Sequence, residues 1–363
     1  MKRPPLEACR LACVLALACA LAQAHAGSPA AAPAARFSHI FVIVLENHSR
    51  DGVVGSPSMP RLTALARAHG VARNYYGVTH PSQPNYIAMI GGDTFGVTHD
   101  GPVRLSADTK NLVDQLEPNH TWAAYMESID APGSLKTSYP SGQPLYAAKH
   151  NPFVAFADIR DNPARLARIR PYSEFAADMK SGRIAEFIYI VPNQCHDMHG
   201  GITVAIGPDD GSPCQYAAKP DDANDRALKA KADEFVDRTV SLIMHSSAWT
   251  EGESAIFIVA DESDFDGVNP VTGGWADATG CCDSPSYPKG SAAVGVRWPG
   301  GTYGGGIAAA IVVTTHGGKP ASDVPYNHYS LLTTIEDNWN LGHLGHAGDA
   351  AGGVVPMTDL LGH

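Results

Sequence analysis

The chain has 363 residues, of which 44% are hydrophobic and 17% charged, and its formal net charge is −11. That length accommodates one large α/β domain or two smaller ones, and the absence of a long single-sign charge run excludes extensive disorder beyond the first segment. The acidic balance excludes a nucleic-acid backbone as the main partner.

The first segment has the layout of a secretory signal. Lys2, Arg3 and Arg10 precede or flank the apolar stretch 11–22, and Ala24-His25-Ala26 forms a small-residue cleavage site. The apolar stretch is too short to span a bilayer comfortably. The reading is a signal peptide over 1–26, a flexible leader over 27–36 and a single domain over 37–363, secreted or periplasmic, with no stable membrane anchor. Cys9, Cys13 and Cys19 fall in the signal, which leaves Cys195, Cys214, Cys281 and Cys282. An even number in an exported chain points to disulfides. Three pairings are open; Cys195–Cys214 would close a loop and leave the adjacent Cys281 and Cys282 to bond or stay reduced.

Five short apolar runs are predicted as buried parallel strands: 37–45, 186–191, 254–260, 292–298 and 307–314. Helices are predicted over 59–69, stopped by Gly70, over 225–246, and over 328–340. The alternation argues for a layered α/β fold with a mainly parallel sheet. Residues 130–165 and 195–224 are rich in Gly, Pro, Asp and Asn and read as long loops forming a cap. Residues 300–306 (GGTYGGG) read as a hairpin or flexible loop.

Polar residues gather where strands end. Glu46-Asn47-His48 follows the first run, Asn193 to His199 follows the second, and Asp261-Glu262 follows the third. In open α/β sheets ligands bind beyond the carboxyl ends of strands. Glu46, Asn47, Asp261 and Glu262 are hard oxygen donors suited to a divalent cation of unspecified identity. Ser82, in T-H-P-S-Q-P-N-Y, stands at the start of a predicted helix, where backbone N–H groups and the helix dipole favour an anion. The plain alternative is that Ser82 caps the helix. Asn85, one turn on, is expected to offer its amide to the same anion. His150, His199 and His328 are the imidazoles expected to contact phosphate or protonate a leaving group, and His80 and His196 also merit notice. His343, His346 and His363 read as surface residues. No G-x-S-x-G elbow and no P-loop pattern is present.

Taken together, F-S-H-I-F-V-I-V-L-E-N-H-S, T-H-P-S-Q-P-N-Y-I-A-M-I-G-G, K-H-N-P-F, C-H-D-M-H-G, I-V-A-D-E-S and N-H-Y-S-L-L-T-T-I-E-D resemble the bacterial phosphoesterase family of exported acid phosphatases and phospholipases C, within the alkaline phosphatase superfamily. The resemblance runs in order from about residue 37 to residue 340. It implies a three-layer α/β/α sandwich and a metal held by Glu46, Asn47, Asp261 and Glu262 with Ser82 completing the site. H-P-S-Q-P-N-Y is similar to the T-F-P-N stretch of nucleotide pyrophosphatases, which implies Ser82 as nucleophile and Asn85 on phosphate. K-H-N-P-F and D-M-H-G are similar to family segments that place imidazoles, here His150 and His199, on phosphate.

The expected function is hydrolysis of a small phosphate monoester through a phosphoserine intermediate. Ser82, His150 and His199 are the expected catalytic groups, and Asn47, Asn85 and His328 the expected substrate contacts. One alternative is a phosphodiesterase with an apolar entrance lined by Tyr75, Tyr76, Phe153 and Trp275. Another is a non-catalytic binder of a phosphorylated ligand.

Overall fold

The computed structural model describes residues 37–142, 144–201, 213–264, 277–291 and 298–362. The predicted signal and leader, Trp275 and most of the predicted strand 292–298 lie outside these.

Eight strands form the central sheet: β1 His39–Leu45, β2 Gly70–Tyr76, β3 Trp122–Met126, β4 Ile169–Pro171, β5 Phe187–Val191, β6 Ser254–Ala260, β7 Ala310–Thr314 and β8 Ala321–Asn327. Their order across the sheet is β8-β2-β7-β6-β1-β5-β3-β4. β1 is central, parallel to β5 on one side and β6 on the other. β1, β5 and β6 are apolar and buried on both faces, as a sheet covered on each side by helices requires.

Four longer helices supply the cover: α1 Pro60–Ala68, α2 Ser82–Gly91, α3 Ala223–Met244 and α4 His328–Asn338. α1 packs on α3 and α2 on α4, which completes the three-layer α/β/α sandwich. On α3, Leu228, Phe235 and Ile243 form the buried face. Gly70 does not stop α1; it opens β2, one residue after the His69 cap.

One strand direction departs from expectation. The run 307–314 was expected to be parallel, yet β7 is antiparallel to both β2 and β6. The reason lies in how the chain enters it. Residues 304–306 cross the carboxyl edge of the sheet, where Gly305 N donates to Gly77 O (2.9 Å) and Ser263 N donates to Gly305 O (2.8 Å). A chain starting from that edge must run back down the sheet. Glycine is required there: a Cβ on Gly77 would lie 2.7 Å from the Asp261 carbonyl oxygen, and one on Gly305 2.5 Å from that of Thr79. Gly301-Thr302 pairs antiparallel with Ser286-Tyr287, so the glycine-rich stretch is in part a hairpin strand.

Residues 130–165 contain a two-stranded ribbon, Ser138–Tyr139 against Tyr146–Ala147, followed by single helical turns that carry Lys149 and His150 to the carboxyl edge. Cys195 is bonded to Cys214, and Cys281 to Cys282.

Candidate active site

Ser82 is the first residue of α2, preceded by Pro81 at the cap position, and it does not cap the helix. Its hydroxyl donates instead to Glu46 Oε2 (2.9 Å) and Glu262 Oε1 (3.1 Å). Glu46 follows β1 and Glu262 follows β6 by two residues, and these strands are neighbours, so their register sets the serine between two buried acids. The end of α2 offers fewer free amides than expected. Pro84 has no N–H, and the Gln83 N–H donates to Asp100 Oδ1 (3.1 Å).

Asp261 joins the cluster through Oδ1, which accepts from the amides of Asn47 (3.0 Å) and Glu262 (2.8 Å). Asn47 Nδ2 donates to Glu46 Oε2 (3.1 Å), and Asn47 has a positive φ of 49° that turns its side chain back on the strand end. His150 Nε2 lies 3.0 Å from Glu46 Oε1, and its Nδ1 lies 3.4 Å from Asp197 Oδ2. Tyr86 stacks on the His150 ring at 5.2 Å. His199 is held by its own amide on Asp197 Oδ1 (2.7 Å) and by Nδ1 on the Gly200 carbonyl (2.7 Å), with Nε2 3.2 Å from Lys149 Nζ.

Asn85 and His328 do not take the substrate-facing positions expected of them. Asn85 Oδ1 accepts from the Val78 and Thr79 amides (2.9 and 3.1 Å), while Nδ2 donates to the Thr79 and Pro81 carbonyls (2.7 and 3.2 Å). Both ends of its amide hold the loop that presents Ser82. His328 is fully buried, with Nδ1 against Tyr75 OH (2.8 Å) and Nε2 against the Asp261 carbonyl (2.6 Å). Tyr75 and Phe153, expected at an apolar entrance, are core residues with no exposure. His196 bonds Glu127 and stacks on Phe235, a packing role.

Other members of the site carried no role in the sequence reading. Lys149 Nζ pairs with Asp100 Oδ2 at 2.7 Å. His80 bonds Glu262 Oε2 through Nδ1 and the Asp277 carbonyl through Nε2 (2.8 Å). Asp197 was visible only as a neighbour of His199. Lys149 stood inside the quoted K-H-N-P-F, and its spacing one residue before His150 was the available signal.

The electrostatics are those of crowded, desolvated acids. Burial, then mutual repulsion, pushes the Asp261 and Glu262 carboxyls far above the usual range, and burial likewise raises Glu46 and Asp197. Burial opposes the Lys149 charge, but Glu46 and Asp100 outweigh it and keep the ammonium protonated. Burial, with Lys149 and His150 nearby, holds His199 neutral.

Two buried acceptors here, Asn47 Oδ1 and Asp261 Oδ2, have no hydrogen-bond partner, and Glu46 Oε1 and Asp197 Oδ2 meet the His150 ring without hydrogen-bond geometry. Orphaned acceptors among excess negative charge fit a divalent cation. Glu46, His150 and His199 also form a group whose ligand atoms all lie within 4.8 Å of one another. Two donor sets therefore meet at Glu46. One is oxygen-rich, with Asn47, Ser82, Asp261 and Glu262, and the other brings the two imidazoles.

This chain is a mainly parallel α/β sandwich whose carboxyl edge sets a serine among buried acids and imidazoles. More particularly, it belongs to the Phosphoesterase family, whose model matches residues 56–209 and 219–342. It is 27% identical over 305 residues to "Phosphate-repressible acid phosphatase" of Penicillium chrysogenum, covering 83% of this chain and 60% of that protein. It is 28% identical over 323 residues to "Probable acid phosphatase" of Kluyveromyces lactis, covering 87% and 62%. The chain thus spans about three-fifths of the length of these fungal relatives. Among solved structures it resembles the C-terminal periplasmic domain of phosphoethanolamine transferase EptC from Campylobacter jejuni, with TM-score 0.50 and 11% identity over 91% of this chain and 95% of that one. A Vibrio parahaemolyticus protein described as in the alkaline phosphatase superfamily matches with TM-score 0.45 and 14% identity, over 84% and 67%. The likeness to the Campylobacter jejuni domain concerns the fold alone. No helix among the described residues is long and apolar enough to cross a membrane.

Proposed function

We propose that this chain is a metal-dependent hydrolase of small phosphate monoesters, of the acid phosphatase kind, exported by the segment 1–26 and acting through residues 37–363 as one domain. The observation that carries the reading is the Ser82 hydroxyl held between Glu46 and Glu262. The named acid phosphatase relatives support the choice of substrate class.

Glu46, Asn47, Ser82, Asp261 and Glu262 would hold the divalent cation, which when bound favours the serine alkoxide and offsets phosphoryl charge. Ser82 Oγ attacks phosphorus, and the bond to the leaving oxygen breaks as the new O–P bond forms. The Ser82 proton passes to one of its two acceptors, Glu46 Oε2 or Glu262 Oε1. His150 and His199 face the phosphoryl oxygens; His199, neutral and accepting from Lys149 at Nε2, helps to place them, and His150 supplies the proton that the leaving oxygen takes up. Water, giving its proton to His150, then attacks the phosphoserine; the Ser82 O–P bond breaks as the new O–P bond forms, and Ser82 Oγ takes back its proton from the acid that held it, which releases phosphate and restores the serine. Asn85 acts indirectly by fixing the 78–81 loop, and His328 by fixing the Asp261 backbone. Most of the rate comes from placement and charge stabilisation.

Acid quenching during turnover, followed by peptide mapping, tests this reading. Phosphate is expected on Ser82, and none in a Ser82→Ala protein. Turnover that persists in that variant, or phosphate on a different residue, would remove Ser82 from the role.

A further inference from the structure

Beside Ser82 lies a cleft of about 450 Å³, bordered among others by Gln83, Lys149, Val103, Leu135, Val154 and Arg160. Two of its lining residues adjoin the site: Gln83 follows the serine, and Lys149 Nζ is 3.2 Å from His199 Nε2. Its volume is that of a small-molecule pocket. The wall is largely apolar, and Leu135, 42% exposed, stands on it.

The charges of the cleft do not cancel. Lys149 is matched by Asp100 at 2.7 Å. Arg160 is not matched, because the acids near it are engaged by other arginines: Asp158 bonds Arg165, and Asp161 bonds Arg104. Among the described residues, the one side-chain hydrogen bond of Arg160 is a 3.5 Å contact to the Val154 carbonyl, at the limit of what counts as a bond. The cleft therefore combines an apolar wall with a guanidinium that lacks an acid partner.

We propose that this cleft is the leaving-group subsite, and that it selects phosphate monoesters whose leaving group is a compact apolar, ring-sized body carrying a second anionic group, with Arg160 as the specificity-determining residue. The proposal rests on the phosphomonoesterase reading above. A planar guanidinium recognises carboxylate or phosphate oxygens through paired N–H donors, and the aliphatic wall removes the ring from water.

The test compares 3- and 4-carboxyphenyl phosphate with their neutral isosteres, 3- and 4-carbamoylphenyl phosphate, using the full, metal-loaded chain. At least one carboxylate isomer should be preferred about tenfold in kcat/KM, as a charge-assisted hydrogen bond provides. Arg160→Gln should bring that ratio close to one, Arg160→Lys should retain part of it, and Val154→Phe should raise KM for all four esters. Equal turnover of acid and amide by the wild type, or a preference that survives Arg160→Gln, overturns the subsite and leaves the phosphatase reading standing. Absence of turnover of every ester overturns the phosphatase reading. In that event calorimetric binding of the same four esters to Ser82→Ala and to Ser82→Ala/Arg160→Gln still decides the subsite, by the presence or loss of the carboxylate preference.

Discussion

His48 Nε2 and Asp225 Oδ1 lie 2.6 Å apart, with both side chains buried, and His48 Nδ1 lies 2.8 Å from the Glu46 carbonyl oxygen. With both nitrogens donating, the ring is an imidazolium. Burial opposes that charge, but Asp225 and Asp264 outweigh it and raise the His48 pKa. Burial pushes Asp225 up, yet His48 and Lys229, the latter at 2.7 Å, hold it well below the carboxylate range. This buried chain of charges ties the turn that carries Glu46 and Asn47 to α3. Replacing His48 by alanine should weaken metal affinity roughly 10–100-fold by releasing that turn. It should also cost about 3 kcal/mol of stability, as broken buried pairs do. Titration of activity with metal, beside denaturant unfolding, measures both; an unchanged metal affinity would remove the anchoring role.

Asp233 performs at a distance what a cap residue usually does locally. The α1 cap position is Met59, which has no side-chain acceptor. Asp233 on α3 supplies one: Oδ1 accepts from Leu62 N (2.8 Å) and Arg61 N (3.1 Å). Asp233→Ala should lower stability by about 2 kcal/mol. None of the Asp233 hydrogen bonds reaches the Ser82 site, so kcat/KM at 25 °C should stay within about twofold. A loss of activity with stability intact would contradict this division.

Glu336 on α4 gives the fold a pH dependence separate from the active site. It has no exposure, accepts from Leu344 N (2.9 Å) through Oε1, and has no partner at Oε2. Burial, helped by Asp337, raises its pKa from 4.5 to about 8. A carboxyl that keeps its proton longer when folded stabilises the fold fully below its unfolded pKa, and this contribution is lost as pH rises through the folded value. Thermal stability should therefore decline between about pH 4.5 and 8. Glu336→Gln should flatten that slope and recover roughly 1–3 kcal/mol at alkaline pH. Melting curves across the range decide it; parallel profiles for the two proteins would exclude Glu336 as the cause.

What the sequence reveals follows from what is local. β1, β5 and β6 are continuous apolar runs because both their faces are covered, and their ends announce Glu46, Asn47, Asp261 and Glu262. β2, Gly-Val-Ala-Arg-Asn-Tyr-Tyr, interrupts its apolar residues with Arg73 and Asn74 and lies next to the edge. β8 is the edge itself and carries Pro325 at a register shift, which an edge tolerates. Neither shows the apolar run that marks a strand. The direction of β7 depends on where the glycine crossing delivers the chain, and periodicity holds no record of it. The same limit applies to Asp225 and Asp233, which meet His48 and α1 only after α3 has docked. Asn85 and His328 were found as members of the site neighbourhood. Their hydrogen bonds, and hence their positioning work, depend on partners seen only in three dimensions.

The central claim is that Ser82 and the acids around it form one metal-dependent centre for phosphate ester cleavage. The most direct test is hydrolysis of a chromogenic phosphate monoester by the full chain, before chelation, after it and after a divalent metal is restored, with Ser82→Ala as the blank and the diester analogue alongside. The account predicts monoester turnover that falls to the Ser82→Ala background on chelation, returns with metal, and exceeds diester turnover. Turnover indifferent to chelation, or equal in wild type and Ser82→Ala, would contradict it.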